Sequence, residues 1–411
     1  MSVRPTDIVT LRTTSLLTED LTRAADDLAS ALDGASCLVI GGAGSIGSET
    51  LEQLCRFPLK RLVVIDQDEN GLARLMRRLR GRAEPIAIES VSTLPLDYGS
   101  ALGEAALRRE DPFDFVLNFA ALKHVRSEKD VLSTFALMDT NILKQFRFLN
   151  LVSDHSPECR YFSVSTDKAA NPTSFMGATK RFMEHAIFAK AVNKPGKGVT
   201  SARFANVAYS QGSLLESFIS RLEEGVPLAA PEGINRFFMS LEEAGEFCLL
   251  AAVLGKPDHI SIPALAPETH LVSMKDAATG FLTANGFEPV IHTLEDQAKA
   301  FADLPALRAE GKWPLILTPA DTAGEKPYEE FAGEGETVTQ SRFEALQDLH
   351  YLPDVPSQAL SALLSELTRL KSDQEALIAL SAEDLISLIA SAEPRFRAGH
   401  IASEKSLDDR I

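Results

Sequence analysis

From residue 36 onward, short apolar runs alternate with longer stretches whose apolar residues recur every three to four positions. The runs "SCLVI" (36–40), "RLVVID" (61–66), "PIAIES" (85–90), "FDFVLNFAA" (113–121) and "CRYFSVST" (159–166) have strand length and strand composition. Between them lie the helical patterns "SETLEQLCRF" (48–57), "NGLARLMRRLRGR" (70–82) and a stretch from about Val131 to Val152. Strands alternating with helices of ten or more residues make βαβ units. The expected fold class is therefore α/β, a Rossmann-type doubly wound parallel sheet. "TSARFANV" (200–207) and "HISIPAL" (259–265) extend the same sheet.

The flanks read differently. "EDLTRAADDLASALD" (19–33) predicts a helix stopping at Gly34, which makes residues 1–33 an N-terminal helical extension. Residues 34–210 form the Rossmann core, with strand 259–265 returning to it. Residues 211–340 are mostly a smaller α/β lobe, in which 212–255 reads as helix, short strand, helix. "SMKDAATGFLTANG" (273–286) predicts a helix, and "PADTAGEKPYEE" (319–330) a loop running into one. Residues 341–411 form a C-terminal helical extension, with "SRFEALQDLHYL" (341–352), "SQALSALLSELTRLK" (357–371) and "AEDLISLIASAEPRF" (382–396) as amphipathic helices.

Composition narrows the function classes. A formal charge of −17 argues against a nucleic-acid partner or an anionic membrane surface, but leaves room for a phosphate site built from helix ends and a few cations. Cys37, Cys55, Cys159 and Cys248 show no paired spacing and no histidine partners, so reduced core thiols and no metal are expected. No apolar run reaches membrane-spanning length and the N-terminus lacks a signal core, which makes the cytoplasm the expected location.

Two motifs carry chemistry. Ile40-Gly41-Gly42-Ala43-Gly44-Ser45-Ile46-Gly47 links a strand to a helix. Its glycines at 41, 44 and 47 allow a tight turn, close approach to a pyrophosphate and close helix packing. Asp66 ends the next strand 19 residues after Gly47, where a carboxylate binds ribose hydroxyls and repels a 2′-phosphate. NAD is favoured over NADP. The second motif, "STDKAANPTSFMGATK" (165–180), follows a strand, so Thr166, Asp167 and Lys168 fall on the carboxyl edge of the sheet, where such folds bind ligands. Met176 and Lys180 share one face of the following helix.

These residues resemble the extended short-chain dehydrogenase/reductases. Within them they resemble the polysaccharide-biosynthesis group of UDP-N-acetylglucosamine 4,6-dehydratases and related C5-epimerising dehydratases. "GGAGSIGSE", "VVIDQDEN", "NFAALKHV", "SVSTDKAANPTSFMGATKR", "RFANV…GS" and "NRFFMSLEEA" carry the likeness in order, with a weaker echo at "AGEKPYEE". The first 30 residues resemble the segment that joins this domain to a membrane region in longer members. The resemblance implies that Gly41, Gly44, Ser45, Ile46 and Gly47 hold the pyrophosphate, Asp66 the ribose, and Asp97 the adenine. Asn118, Ala120 and Ala121 would line the cofactor, and Lys180 would bind the nicotinamide ribose. Lys123, His124, Asn206 and Arg236 would contact a UDP-sugar. Asp167 would be the acid at the C6 hydroxyl and Lys168 the base at C5. It also implies a lyase that is a homo-oligomer.

The wider superfamily has a tyrosine four residues before the lysine, where this chain has Met176; several members of the dehydratase group resemble it in that. Thr166 or Asp167 then takes the C4 hydroxyl proton. Tyr209, at a position that is glycine in the family, is read either as a pocket residue replacing that phenol or as a packed loop aromatic. Ala205 also replaces a family glycine, Thr322-Ala323 stand where the family has Arg-Pro, and 295–314 reads as an insertion. Rival readings are an epimerase or 4-keto reductase on the same sugars, and a catalytically silent sugar-nucleotide binder.

Overall fold

The alternation of apolar runs and helical stretches folds as alternating strands and helices. The computed structural model describes residues 4–83, 86–123, 128, 130–189, 193–320, 326–351 and 357–400. Two helices, α1 (Pro5–Thr10) and α2 (Thr18–Leu32), precede β1 (Ser36–Ile40) and α3 (Ser45–Leu54). Next come β2 (Leu59–Asp66), α4 (Glu69–Arg80), β3 (Ile88–Pro95), α5 (Ala101–Arg109) and β4 (Phe115–Asn118). Then α6 (Val131–Met138) runs through a π-helical turn (Asp139–Lys144) into α7 (Gln145–His155), β5 (Arg160–Val164), α8 (Phe175–Phe188) and β6 (Val199–Ala202). These strands form a parallel sheet in the order β3-β2-β1-β4-β5-β6, so the winding direction reverses between β1 and β4. That reversal is where doubly wound folds bind ligands. β1 is buried along its whole length, as its SCLVI composition requires between two helical layers.

The second half splits between the sheet and a small lobe. β7 (Asn206–Val207), α9 (Leu214–Glu224), β8 (Leu228–Pro231) and β9 (Asn235–Met239) lead to α10 (Leu241–Val253) and β10 (His259–Pro263). After α11 (Pro267–His270) come β11 (Leu271–Ser273), α12 (Met274–Ala284), β12 (Glu288–Thr293), α13 (Gln297–Ala309) and β13 (Lys312–Thr318). The lobe has two three-stranded sheets, β11-β9-β7 and β12-β13-β8. The insertion read at 295–314 supplies α13 and the start of β13, the central strand of the second of these sheets.

Three expectations are corrected. α10 does not belong to a separate lobe: it is buried over nearly its whole length and packs on α3 so closely that a Cβ on Gly245 would stand 2.8 Å from the Glu49 backbone. Residues 341–351 are not a helix. β14 (Val338–Gln340) and β15 (Leu346–His350) join the main sheet antiparallel beyond β10, pairing Leu346 with Pro263 and His350 with His259. The described part of the 319–330 stretch has no helix either, and residues 326–337 run as an irregular strap.

The remaining helices are α14 (Ser357–Ser372), α15 (Gln374–Ala379), α16 (Ala382–Ala390) and α17 (Pro394–Gly399). They bury Leu363, Leu367, Leu385, Ile389 and Phe396 against α6, the π-turn and α8. α2 shares the main core through Leu28 and Leu32, and its buried Asp20 accepts the backbone N–H groups of Glu344 and Ala345 at 2.9 and 2.8 Å.

Candidate active site

The glycine loop sits at the carboxyl end of β1, beside the winding reversal. Gly41 has φ +73°, and a Cβ there would lie 2.6 Å from the Ala120 nitrogen; one on Gly47 would lie 2.3 Å from the Gly41 carbonyl oxygen. The protein's own packing demands both glycines. Gly44 is different: a Cβ would meet only the Gly41 oxygen, at an ordinary 3.5 Å. Its small size keeps the approach to the N-terminus of α3 open, which fits a pyrophosphate laid against the N–H groups of Ser45, Ile46 and Gly47. Asp66, ending β2, accepts the Ala43 N–H at 2.9 Å and ties the loop to the neighbouring strand.

The next loops are shaped by buried amides. Asn118 is fully buried: its Nδ2 donates to Gln145 and Tyr161, and its Oδ1 accepts the Ala120 N–H at 3.0 Å. It therefore fixes the backbone of Ala120, just ahead of Ala121, rather than pointing outward. Asn141, on the π-turn, brackets Leu122 through both backbone groups and donates to Thr179 on α8. Lys123 is exposed, within the field of Glu216. His124 lies outside the described residues. Asp97 pairs with Lys144 at 2.6 Å; burial would raise its carboxyl, but the Lys144 and Gly99 hydrogen bonds outweigh this and lower it.

Thr166, Asp167 and Lys168 form a tight polar turn after β5. Oδ1 of the buried Asp167 accepts from the Thr166 hydroxyl at 2.8 Å, the Lys168 N–H at 2.9 Å and the Lys168 ammonium at 3.1 Å. Burial would lower the Lys168 pKa, yet the carboxylates of Asp167 and Glu329 raise it above the ordinary lysine value, against the charge of Arg236. Lys180, one layer deeper on α8, donates to the Val164 carbonyl at 2.9 Å. Burial pulls it down to about 8, with Glu184 acting the other way. Met176 is buried beside the start of the same helix. Its N–H and that of Phe175 donate to Glu128 at 2.9 and 3.1 Å, which seats a carboxylate on the helix N-terminus.

The lobe reaches the same edge. Arg236, on β9, donates to the carbonyls of Asn235 and Lys326, both at 2.9 Å, while Asn206, on β7, donates to the Phe237 carbonyl. Tyr209 has a left-handed backbone with φ 56°. Its ring packs toward Phe281, with centroids 6.3 Å apart, and its hydroxyl donates to Pro5 at 3.4 Å. It is packed as a loop aromatic, with its hydroxyl engaged by the Pro5 carbonyl.

Sequence reasoning assigned no role to Glu128, Glu329 or the ion network behind α8. In that network Arg203 makes paired contacts with Glu184 and Glu336, and Arg181 also contacts both. The only signal for Glu329 was the faint "AGEKPYEE" echo.

Comparison with known proteins agrees with this fold. The profile of a family described as polysaccharide biosynthesis protein matches residues 37–349. A membrane protein of Methanocaldococcus jannaschii, named as uncharacterized, is 33% identical over 231 residues, covering 55% of this chain and 65% of the relative. The probable polysaccharide biosynthesis protein EpsC of Bacillus subtilis is 25% identical over 342 residues, covering 81% and 54%. The chain thus spans less than two thirds of either relative. Among solved structures, Pen from Bacillus thuringiensis superposes with a TM-score of 0.59 at 21% identity, over 77% of this chain and 88% of that one. WbmF of Bordetella bronchiseptica, in complex with NAD+ and UDP, gives 0.50 at 20% identity, over 63% and 81%. Both share the fold. With three quarters of its length matched in one continuous stretch, the chain belongs to the polysaccharide biosynthesis protein family.

Proposed function

We propose that the chain is a nucleotide-sugar 4,6-dehydratase with tightly bound NAD, acting on UDP-N-acetylglucosamine or a close relative in polysaccharide biosynthesis. The observation that carries this reading is the acid–base set of Thr166, Asp167 and Lys168, hydrogen-bonded together on the sheet edge that also bears the glycine loop. WbmF, named as a complex with NAD+ and UDP, supports the ligand pair. The glycine loop would hold the pyrophosphate, Asp66 the ribose and Lys180 the nicotinamide ribose. Arg236, Asn206, Lys123 and His124 would face the UDP-sugar. Bound NAD supplies the reversible removal of hydrogen from sugar C4 and its return at C6.

The chain's residues then move protons. Thr166 accepts the O4 proton while passing its own to Asp167 along their 2.8 Å bond. Asp167 gives a proton to O6 as it leaves as water, so the proton lost at O4 is the one needed at O6. Lys168, as the free amine, takes the C5 proton, made acidic by the C4 ketone, and later returns it.

A second reading, a 4-epimerase on the same class of sugar, is favoured by relatives that bear that name. One is the UDP-glucose 4-epimerase of Rickettsia typhi, 28% identical over 232 residues. Epimerisation at C4 needs neither an acid at C6 nor a base at C5, so the Asp167–Lys168 pair favours dehydration. Incubation with UDP-N-acetylglucosamine without reductant, followed by mass spectrometry, separates the two. Loss of one water supports the dehydratase, and unchanged mass with a new stereoisomer supports the epimerase. No change across UDP-, GDP- and dTDP-sugars sinks both.

A further inference from the structure

Glu329 has no task in the reaction just described, yet it is buried beside the residue that most needs a partner. It is 4% exposed and rides on the strap of residues 326–337. That strap is pinned to the turn after Lys168. Lys326 donates to the Asn171 carbonyl at 2.6 Å, Asn171 donates to Glu330 at 2.9 Å, and the Glu334 N–H donates to Asn171 at 3.0 Å. A Cβ on Gly333 would lie 2.1 Å from the Ala170 carbonyl oxygen, so strap and turn are in backbone contact.

Held this way, Oε1 of Glu329 lies 4.0 Å from the Lys168 ammonium, one side-chain adjustment from a hydrogen bond. Its Oε2 lies 3.7 Å from Lys326 and is buried without a hydrogen bond among the described residues. A buried carboxylate oxygen lacking a donor costs stability, so packing alone does not explain the residue. The charged groups facing it are Lys168 and Asp167 from the turn, Arg236 from β9, and Lys326 from the strap itself. Burial, helped by Asp167, raises the Glu329 pKa against the charges of Lys168, Arg236 and Lys326, so a neutral acid is accessible at this position.

We propose that Glu329 is the proton partner of Lys168, taking a proton from its ammonium so that a neutral amine faces sugar C5. The inference rests on the dehydratase reading. One N–H bond of Lys168 breaks and an O–H bond forms on Glu329, turning an ion pair into two neutral groups with no net charge change. The amine then takes the C5 proton, whose electron pair passes into the C4 enolate as O6 departs. When C5 is reprotonated by Lys168, Glu329 returns its proton to the amine. Glu329 acts through Lys168 and does not touch the sugar.

The test uses E329Q and E329D with UDP-N-acetylglucosamine in D2O. Deuterium entry at C5 is read by NMR, nicotinamide absorbance reports C4 oxidation, and thermal melts report folding. E329Q is expected to melt at or above wild type, to keep C4 oxidation, and to lose C5 exchange by about 100-fold or more at neutral pH. Exchange should recover as pH rises and bulk base replaces the carboxylate, and E329D should restore part of it. C5 exchange within twofold of wild type, or a melt well below wild type, overturns the proposal and leaves the dehydratase reading standing. Wild type that forms no dehydrated product overturns that reading and this inference with it.

Discussion

Lys168 and Lys180 reach the same edge of the sheet through opposite surroundings. Lys168, in the turn after β5, touches Asp167 at 3.1 Å and lies 4.0 Å from Glu329, and the two carboxylates raise its pKa despite burial. Lys180, on α8, has a carbonyl for its direct partner, and burial pulls it down to about 8. The sequence pattern assigned both lysines to one site; under the proposed reaction their different partners suit them to different work. A lysine between carboxylates acquires the free-amine form by passing a proton to a neighbour. A lysine desolvated against a carbonyl sits near neutrality by itself and serves as a weakly held cation.

The largest effect expected from breaking this contrast is that of Lys168→Ala. Dehydration should fall by about 10³-fold while NAD affinity stays within a few-fold, because general-base catalysis alone is worth ~10²–10⁴. Turnover and a fluorescence titration with NAD check this, and an active variant refutes Lys168 as the base. Next is Arg203→Met, which acts on both lysines by loosening their supports. Arg203 binds Glu184 on α8, both solvent-free, and the partly buried Glu336 on the strap. Removing one partner of a buried ion network costs about 3–5 kcal/mol, measurable by chemical denaturation. Burial would raise the Glu336 carboxyl, but Arg203 and Arg181 hold it at about 2. Its folded pKa is depressed, so its stabilisation is present above about pH 4.5 and is lost as pH falls toward 2. In Arg203→Met that acid limb should flatten.

Much of the frame that positions these lysines was legible beforehand. The apolar runs marked β1, β2, β4 and β5, and the glycine spacing marked the loop, because each depends on neighbours close in sequence. β15 was misread because Phe343, Leu346 and Leu349 recur every third residue, which suits a helix as well as a strand. Only pairing with β10, far away in the chain, decides it. The strap was illegible for a similar reason: it has no periodicity, and Asn171, Ala170 and Arg203 hold it across more than a hundred residues. Glu329, on that strap, therefore carried no sequence signal of its own beyond the faint "AGEKPYEE" echo.

A smaller effect tests the second lysine alone. The unfolded chain keeps Lys180 protonated up to 10.5, whereas the fold releases its proton near 8, so stability should rise with pH between those values. Lys180→Met removes that penalty, about 3 kcal/mol at neutral pH, but leaves the Val164 carbonyl without its donor, about 1 kcal/mol or more. The variant should be more stable than wild type by ~1–2 kcal/mol at pH 7, and in urea titrations the gap should close near pH ~9 and reverse above pH ~10, where only the lost hydrogen bond remains. NAD affinity should fall at the same time. A destabilised variant at pH 7 would mean that Lys180 is not held against its charge.

The smallest effect is expected at Tyr209, which tests whether the contrast between the lysines is complete without a phenol. Its hydroxyl donates to the Pro5 carbonyl, and its ring lies against Phe281 in the lobe core. Burial pushes the phenol up to about 12, away from any useful acid–base range at neutral pH. Tyr209→Phe should therefore leave turnover and its pH profile within twofold of wild type, at a cost of ~1 kcal/mol or less for the lost hydrogen bond. A change in kcat of tenfold or more would bring the phenol back into the proton path. Thr166 and Asp167 would then no longer suffice to carry the C4 hydroxyl proton, and the roles assigned to Lys168 and Lys180 would have to be shared with a third group.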